Sequence, residues 1–333
     1  MTVASWRLDT VAAEEALELL QNAKLVLTPT HQNVDADGLA SALALRMALA
    51  QKGVNLVPMV TDGLLPRSLG FLPGFDEVLV YGRDEIPEYD LLCLVDCADR
   101  RRLGDFYTDD PERVSGAVPI VNIDHHVTND SFGQVNIVMP QAASASEIVA
   151  DLLAEWGTVL DQDIAQCLLA GIYGDTLGLR TDSTTSRTMR TSADLVDAGA
   201  DIGPIVDALF RIKPRSSVCL WEKALRNVQY TGGLIWTELT QDTLERCGAD
   251  ASEAEGIVNF LVGTEGSGAG ALLYANEKGW RVSLRSLPNG VDVSKIAAEF
   301  GGGGHPRAAG AQIVGGEDEK RAFIDRVGEL TKS

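Results

Sequence analysis

Five short apolar runs in the first 125 residues alternate with helical patterns, and this alternation constrains the chain more than any other feature. The runs are KLVLTPT (24–30), VNLVPMV (54–60), EVLVY (77–81), DLLCLVDC (90–97) and VPIVNI (118–123). Between them DGLASALALRMALAQKG (37–53) reads as a buried helix. SASEIVADLLAEW (144–156) opens on a Ser144-x-x-Glu147 capping box, and a further helix runs from Asp161 to Ile172. Strands alternating with helices specify an α/β fold, a mostly parallel sheet flanked by helices.

From about Thr184 to Tyr230 the pattern is helical with short breaks. Strand patterns resume at 232–240, 270–278 and 280–286, with helices near 252–263, 292–300 and 317–331. The expected organisation is a catalytic domain over 1–185, a helical connection over 186–230 and a smaller mixed α/β domain over 231–333.

The polar residues interrupting this frame carry the chemistry. His31, Asp96 and Asp124 each fall at or just past the carboxyl end of an apolar run, the edge where open parallel sheets bind ligands. Asp35 and Asp37 follow His31 on a tight turn leading into a helix N-terminus. The chain has 4 histidines, and all lie in polar motif segments: His31, His125, His126 and His305. An aspartate at a strand end is commonly a cap, and Asp35, Asp37, Asp96 or Asp175 alone would read as a cap as readily as a ligand. Asp124 followed by two imidazoles is harder to explain by capping. Converging carboxylates without lysines repel one another unless cations neutralise them. Oxygen and imidazole donors without thiolate suit Mn²⁺, Mg²⁺, Co²⁺ or Fe²⁺ better than structural zinc.

A formal charge of −20 disfavours binding to long polyanions, and no basic stripe exceeds Arg100–Arg102. A phosphate substrate is therefore expected to be short. No apolar run reaches membrane-spanning length and the N-terminus lacks a signal-peptide pattern, so the expectation is a cytoplasmic protein without membrane contact. The 5 scattered cysteines, Cys93, Cys97, Cys167, Cys219 and Cys247, read as buried thiols. The oligomeric state is open, a homodimer being one option.

Read together, these segments resemble the DHH phosphoesterase family, named for the triplet that stands here as Asp124-His125-His126. HQNVDADG, LLCLVDCAD, NIDHHVTND and GIYGDTLGLRT resemble its four motifs, in family order. GGGGHPRAAG (301–310) resembles the DHHA1 signature. The chain departs from the common pattern at Val34 and Gly174.

The resemblance implies two divalent ions, Mn²⁺ foremost. His31, Asp35 and Asp96 would hold one, and Asp37, Asp96, His125 and Asp175 the other, with Asp96 bridging. It implies catalytic roles for Asp96, for His126 at the phosphate or leaving group, and for Asp124 in orienting the histidines. Arg285, Gly302, Gly303, Gly304, His305 and Arg307 would bind substrate, the glycines as a backbone nest. The implied activity is hydrolysis of short oligonucleotides (nanoRNA), linear dinucleotides such as pApA and pGpG, or 3'-phosphoadenosine 5'-phosphate (pAp). The alternatives are a family II-like inorganic pyrophosphatase or polyphosphatase, and a non-catalytic nucleotide-binding module.

Overall fold

The computed structural model describes residues 7–61, 65–249, 251–254, 256–288 and 290–332, without the side chains of Ser252 and His305. The chain divides into two compact units, one ending at Ile212 and the other beginning at Lys213. The 186–230 segment is largely helical as far as Arg226, ends on strand residues Gln229 and Tyr230, and is divided between the two units.

In the first unit the apolar runs become β1 (Val26–Pro29), β2 (Leu56–Val60), β3 (Leu79–Val80), β4 (Leu91–Val95) and β5 (Ile120–Asp124). A strand the sequence reading did not contain, β6 (Val135–Val138), completes a six-stranded sheet in the order β3-β2-β1-β4-β5-β6. Every pairing in it is parallel. The helices are α1 (Thr10–Asn22), α2 (Ala36–Ala50), α3 (Gly104–Thr108), α4 (Ala145–Glu155), α5 (Gln162–Asp175), α6 (Ser186–Asp197) and α7 (Ile202–Val206). α1 was likewise not anticipated.

Burial on both faces explains the continuous apolar character of β4. Leu91, Cys93 and Val95 join the large core under α2, α4 and α5, while Leu92 and Leu94 pack with Leu27, Met59, Leu103 and Phe106 on the other side. Strand order reverses between β1 and β4, and at such a switch point the loops leaving two neighbouring strands diverge and leave a crevice. His31 follows β1 and Asp96 follows β4, so this crevice receives the first two site residues.

Two small residues let α5 approach α2. A methyl on Gly174 would lie 2.7 Å from the Ala36 side chain, which accounts for glycine at this departure from the family pattern. A methyl on Gly171 would lie 2.7 Å from Asp37 Oδ1 and closer still to Ser146 Oγ. Ser144 caps α4 as expected, accepting from Glu147 N at 3.1 Å, but the Glu147 carboxylate returns to Ala143 N at 2.8 Å rather than to Ser144.

The second unit contains α8 (Arg215–Arg226), β7 (Gln229–Thr231), β8 (Leu234–Leu239), α9 (Gln241–Cys247), α10 (Ile257–Val262), β9 (Ala269–Asn276), β10 (Gly279–Arg285), α11 (Val293–Glu299), β11 (Gly303–His305), β12 (Ala308–Val314) and α12 (Glu317–Leu330). Its sheet runs β11-β12-β10-β9-β8-β7 and is mixed, β8 and β9 being parallel and the other pairs antiparallel. Alternation along β8 sends Leu234 and Trp236 toward Phe323, Ile324 and Val327 of α12, and Ile235 and Leu239 toward Leu220 of α8 and Leu261 of α10.

Two expectations are corrected here. The glycine run is not an open nest: Gly303–His305 form β11, paired to β12 with Gly303 opposite Gly310 and Gly304 opposite Ala309. A methyl on Gly302 or Gly304 would collide with the carbonyl of Gly310 or Ala308, so the glycines permit close strand approach. The cysteines are not all thiols, because Cys219 on α8 and Cys247 on α9 form a disulfide. The packed helices bring their Cα atoms to 5.6 Å, a proximity invisible across 28 residues of sequence. Cys93, Cys97 and Cys167 are buried thiols as expected.

The α2–α5 contact supports Asp37 directly, and Gly171→Ala is expected to lower stability by roughly 1–3 kcal/mol through overpacking. Denaturant unfolding measures this, and a wild-type midpoint would show that the helices can separate without cost.

Candidate metal centre

Eight side chains from three loops, the end of β5 and two helix ends meet at the C-terminal edge of the first sheet. Asp96 is central. It leaves β4 with φ of +56°, a left-handed conformation that a non-glycine residue adopts only where its surroundings enforce it. Its backbone N–H donates to Ile123 O at 2.9 Å, and its side chain is buried. Asp96 Oδ2 lies 3.3 Å from His31 Nε2, whereas Oδ1 lies 3.4 Å from both His125 Nε2 and His126 Nδ1. One carboxylate thus presents an oxygen to each of two groups of side chains.

The first group is His31, Asp35 and Asp96. His31 Nδ1 donates to Gln32 O at 2.9 Å, which turns Nε2 inward toward the carboxylates, where loss of its proton would free a lone pair. Asp35 is both a cap and a site residue: Oδ1 accepts from Gly38 N at 3.0 Å at the start of α2 and lies 3.6 Å from His31 Nε2. Two further groups share His125: Asp96, His125 and His126, and Asp37, His125 and Asp175. Asp37 is fully buried, and its oxygens accept from the first free N–H groups of α4, Ala145 N at 2.6 Å and Ser146 N at 2.9 Å. Asp175 is the last residue of α5, which runs three residues beyond its expected end, and its Oδ2 lies 3.1 Å from His125 Nε2.

Asp124, the last residue of β5, supports the others. Its Oδ1 accepts from His125 N at 2.9 Å and His126 Nδ1 at 2.8 Å, and its Oδ2 from Asn129 Nδ2 at 2.6 Å. Asn129 also donates to Asn122 Oδ1 at 2.7 Å, and Asn122 donates to Cys97 O at 3.1 Å, locking the Asp96 loop to the histidine loop. Asn122 and Asn129 were missed in the sequence, where nothing separates them from ordinary turn asparagines. Arg102 was missed too: its Nη1 lies 3.4 Å from His126 Nε2.

The electrostatics fit a cation. Burial raises the Asp37 carboxyl well above the ordinary range, and the charges of Asp175 and Asp96 push it the same way. Burial also raises Asp175. Burial opposes ionisation of Asp96, but contacts with His125 and His31 outweigh it and hold that carboxyl well below the usual range. His31 resists charge because it is buried, yet Asp35 and Asp96 prevail and push it up to about 10. Even so, His31 Nε2 and Asp96 Oδ1 are buried without a hydrogen-bond partner among the described residues, although such atoms ordinarily find one. Burial pushes the Cys93 and Cys97 thiols up to about 12, so no thiolate competes. Orphaned polar atoms, an inward imidazole nitrogen and clustered carboxylates match a divalent cation with oxygen and nitrogen ligands.

The second unit places its expected residues differently. Arg285 ends β10 opposite Ala308 of β12, which in turn faces His305 of β11, so the three occupy one row across the sheet. The His305 side chain lies outside the described residues. Arg307 turns into its own domain, where Nη1 donates to Ser286 Oγ at 3.2 Å, Gly290 O at 2.6 Å and Val291 O at 3.0 Å.

Residues 26–172 match the DHH family, N-terminal domain, and residues 240–333 match the DHHA1 domain. A bifunctional oligoribonuclease and PAP phosphatase NrnA from Thermus thermophilus is 34% identical over 295 residues, covering 86% of this chain and 83% of its own. The chain belongs to the DHH family. The bifunctional oligoribonuclease and PAP phosphatase NrnA of Bacillus subtilis is 31% identical over 78% of this chain and 80% of its own. The fold matches an exopolyphosphatase-related protein from Bacteroides fragilis with a TM-score of 0.89 at 22% identity, over 99% of this chain and 100% of that one. This DHH protein is a phosphoesterase by family, with a side-chain cluster able to hold metal. No helix among its described residues is long and apolar enough to cross a membrane.

Cation binding through His31 Nε2 requires loss of the proton that Asp35 and Asp96 hold there in the cation-free protein. Raising the pH from 6 toward the His31 value of about 10 should therefore strengthen binding. Calorimetric titration of Mn²⁺ in two buffers of different ionisation enthalpy should register proton release. A pH-independent affinity would exclude His31 as a ligand.

Proposed function

We propose that this DHH protein uses two divalent ions, Mn²⁺ being the expected species, to hydrolyse short oligoribonucleotides, linear dinucleotides such as pApA and pGpG, and pAp. The observation that carries the reading is the division of Asp96, with one oxygen toward His31 and the other toward His125. His31, Asp35 and Asp96 would hold one ion, and Asp37, Asp96, His125 and Asp175 the other. Two such ions supply Lewis acidity, acidifying a water and offsetting charge on the phosphoryl oxygens.

The chain's own groups do the rest. Asp35 and Asp37 enter from the first turn of α2, and the N–H groups of α4 hold Asp37 in place. Asp124 accepts from His126 Nδ1 and so orients the imidazole beside the substrate phosphate. In the second domain, Arg285 and the Gly302–His305 segment would bind the remainder of a small nucleotide, and Arg307 would brace Ser286, Gly290 and Val291 beside them. The NrnA names of the relatives support this substrate class, as does a net charge of −20, which favours short ligands over long polyanions. The cytoplasm is the expected location, where short RNA and nucleotide products arise.

A family II-like pyrophosphatase or polyphosphatase is less well supported, because the second half matches DHHA1. A non-catalytic module is disfavoured by a complete set of candidate ligands.

Mn²⁺-dependent hydrolysis compared across pAp, pApA, pGpG, a five-nucleotide RNA and pyrophosphate tests the proposal. Turnover of nucleotide substrates should exceed that of pyrophosphate by roughly 10²-fold or more. Activity on pyrophosphate alone, or on none, would overturn it. Asp96→Ala should abolish turnover by removing a ligand from both ions, and a variant with wild-type kcat would rule out the bridge.

A further inference from the structure

The three consecutive arginines after β4 have different partners. They lie on a short 3₁₀ turn, Arg100–Leu103, capped by Asp99 and anchored by the fully buried Leu103. Arg100 lies over the Phe132 ring at 5.0 Å and donates to Phe132 O at 2.9 Å, a structural role. Arg101 is exposed and folds back onto Asp99.

Arg102 points inward. Its carbonyl accepts from Gln32 N at 2.6 Å, tying the turn to the loop that carries His31, and its Nη1 reaches to 3.4 Å from His126 Nε2. His126 already donates from Nδ1 to Asp124, so Nε2 is the acceptor in this contact. Among the described residues no carboxylate pairs with Arg102, although Asp35, Asp37, Asp96, Asp124 and Asp175 all converge nearby in a chain of net charge −20. A half-buried guanidinium directed to an imidazole at the mouth of an anionic cluster, rather than to a carboxylate, keeps further N–H donors for another acceptor. Its planar fork matches two oxygens of a phosphoryl group.

We propose that Arg102 is a ligand of the substrate's scissile phosphate, supplied by the same domain that carries the Asp96 cluster. This rests on the small-nucleotide phosphoesterase reading. The guanidinium would share the charge developing on the non-bridging oxygens, and His126 would hold it at the right distance. Nothing in the RRR run marks the third arginine as different; only the turn geometry does.

The test uses the full chain loaded with Mn²⁺ and two readouts, kcat/KM for pApA and the affinity for AMP by calorimetry. Arg102→Ala is expected to lower kcat/KM by roughly 10²–10³-fold and AMP affinity by roughly tenfold, with Mn²⁺ stoichiometry unchanged. Arg102→Lys, which keeps the charge and loses the fork, should fall between, and it serves alone if the alanine variant does not fold. Arg101→Ala on the same turn should match wild type. Arg102 variants with wild-type kcat/KM and AMP affinity, beside an active wild type, overturn the inference and leave the phosphoesterase reading standing. Loss of Mn²⁺ binding in proportion to AMP binding would also overturn it, assigning Arg102 to support of the cluster. A wild type inactive on pApA, pAp and short RNA would overturn both.

Discussion

The mutual repulsion of carboxylates gathered at one sheet edge, three of them buried, is the constraint on which the first domain is built. Asp37, Asp96 and Asp124 are buried, and Asp35 and Asp175 complete the group. In water such charges would separate; here the backbone holds them together. Compensation comes from three sources: the N–H groups at the starts of α2 and α4, the imidazoles of His31, His125 and His126, and an asparagine pair that binds Asp124 to the Asp96 loop. These leave His31 Nε2 and Asp96 Oδ1 unsatisfied, and a bound cation would complete them.

The sheet order makes the convergence possible. Reversal between β1 and β4 opens the crevice that His31 and Asp96 enter, β5 adds Asp124 and the histidine pair, and α5 delivers Asp175 from the side. Small residues complete the arrangement. Gly171 and Gly174 permit α5 to lie against α2 closely enough for Asp37 and Asp175 to share His125.

Much of this was legible in the sequence because parallel strands buried on both faces are written as uninterrupted apolar runs. β1 to β5, α2, α4 and α5 fall within or beside the segments that pattern marks, and the resemblance identified a cluster that the fold does bring together. Elements without that signature were not legible. β6 is a four-residue edge strand in which only Val135 and Ile137 are buried. α1 buries mainly Ala13, Ala16 and Leu20, a weak stripe. The β11–β12 hairpin is rich in glycine and alanine where the strands pair, residues that read as a loop until close strand approach explains them. The Cys219–Cys247 bond and the Arg102–His126 contact depend on how turns and helices stand in space, which spacing along the chain does not encode.

The central claim is that Asp96 joins two cation sites, and diffraction from crystals grown with Mn²⁺, recorded at the manganese absorption edge, addresses it most directly. The account predicts two anomalous peaks about 3.5–4 Å apart, with Asp96 Oδ2 on the His31 side and Oδ1 on the His125 side. A single peak, or two ions that do not share Asp96, would contradict it.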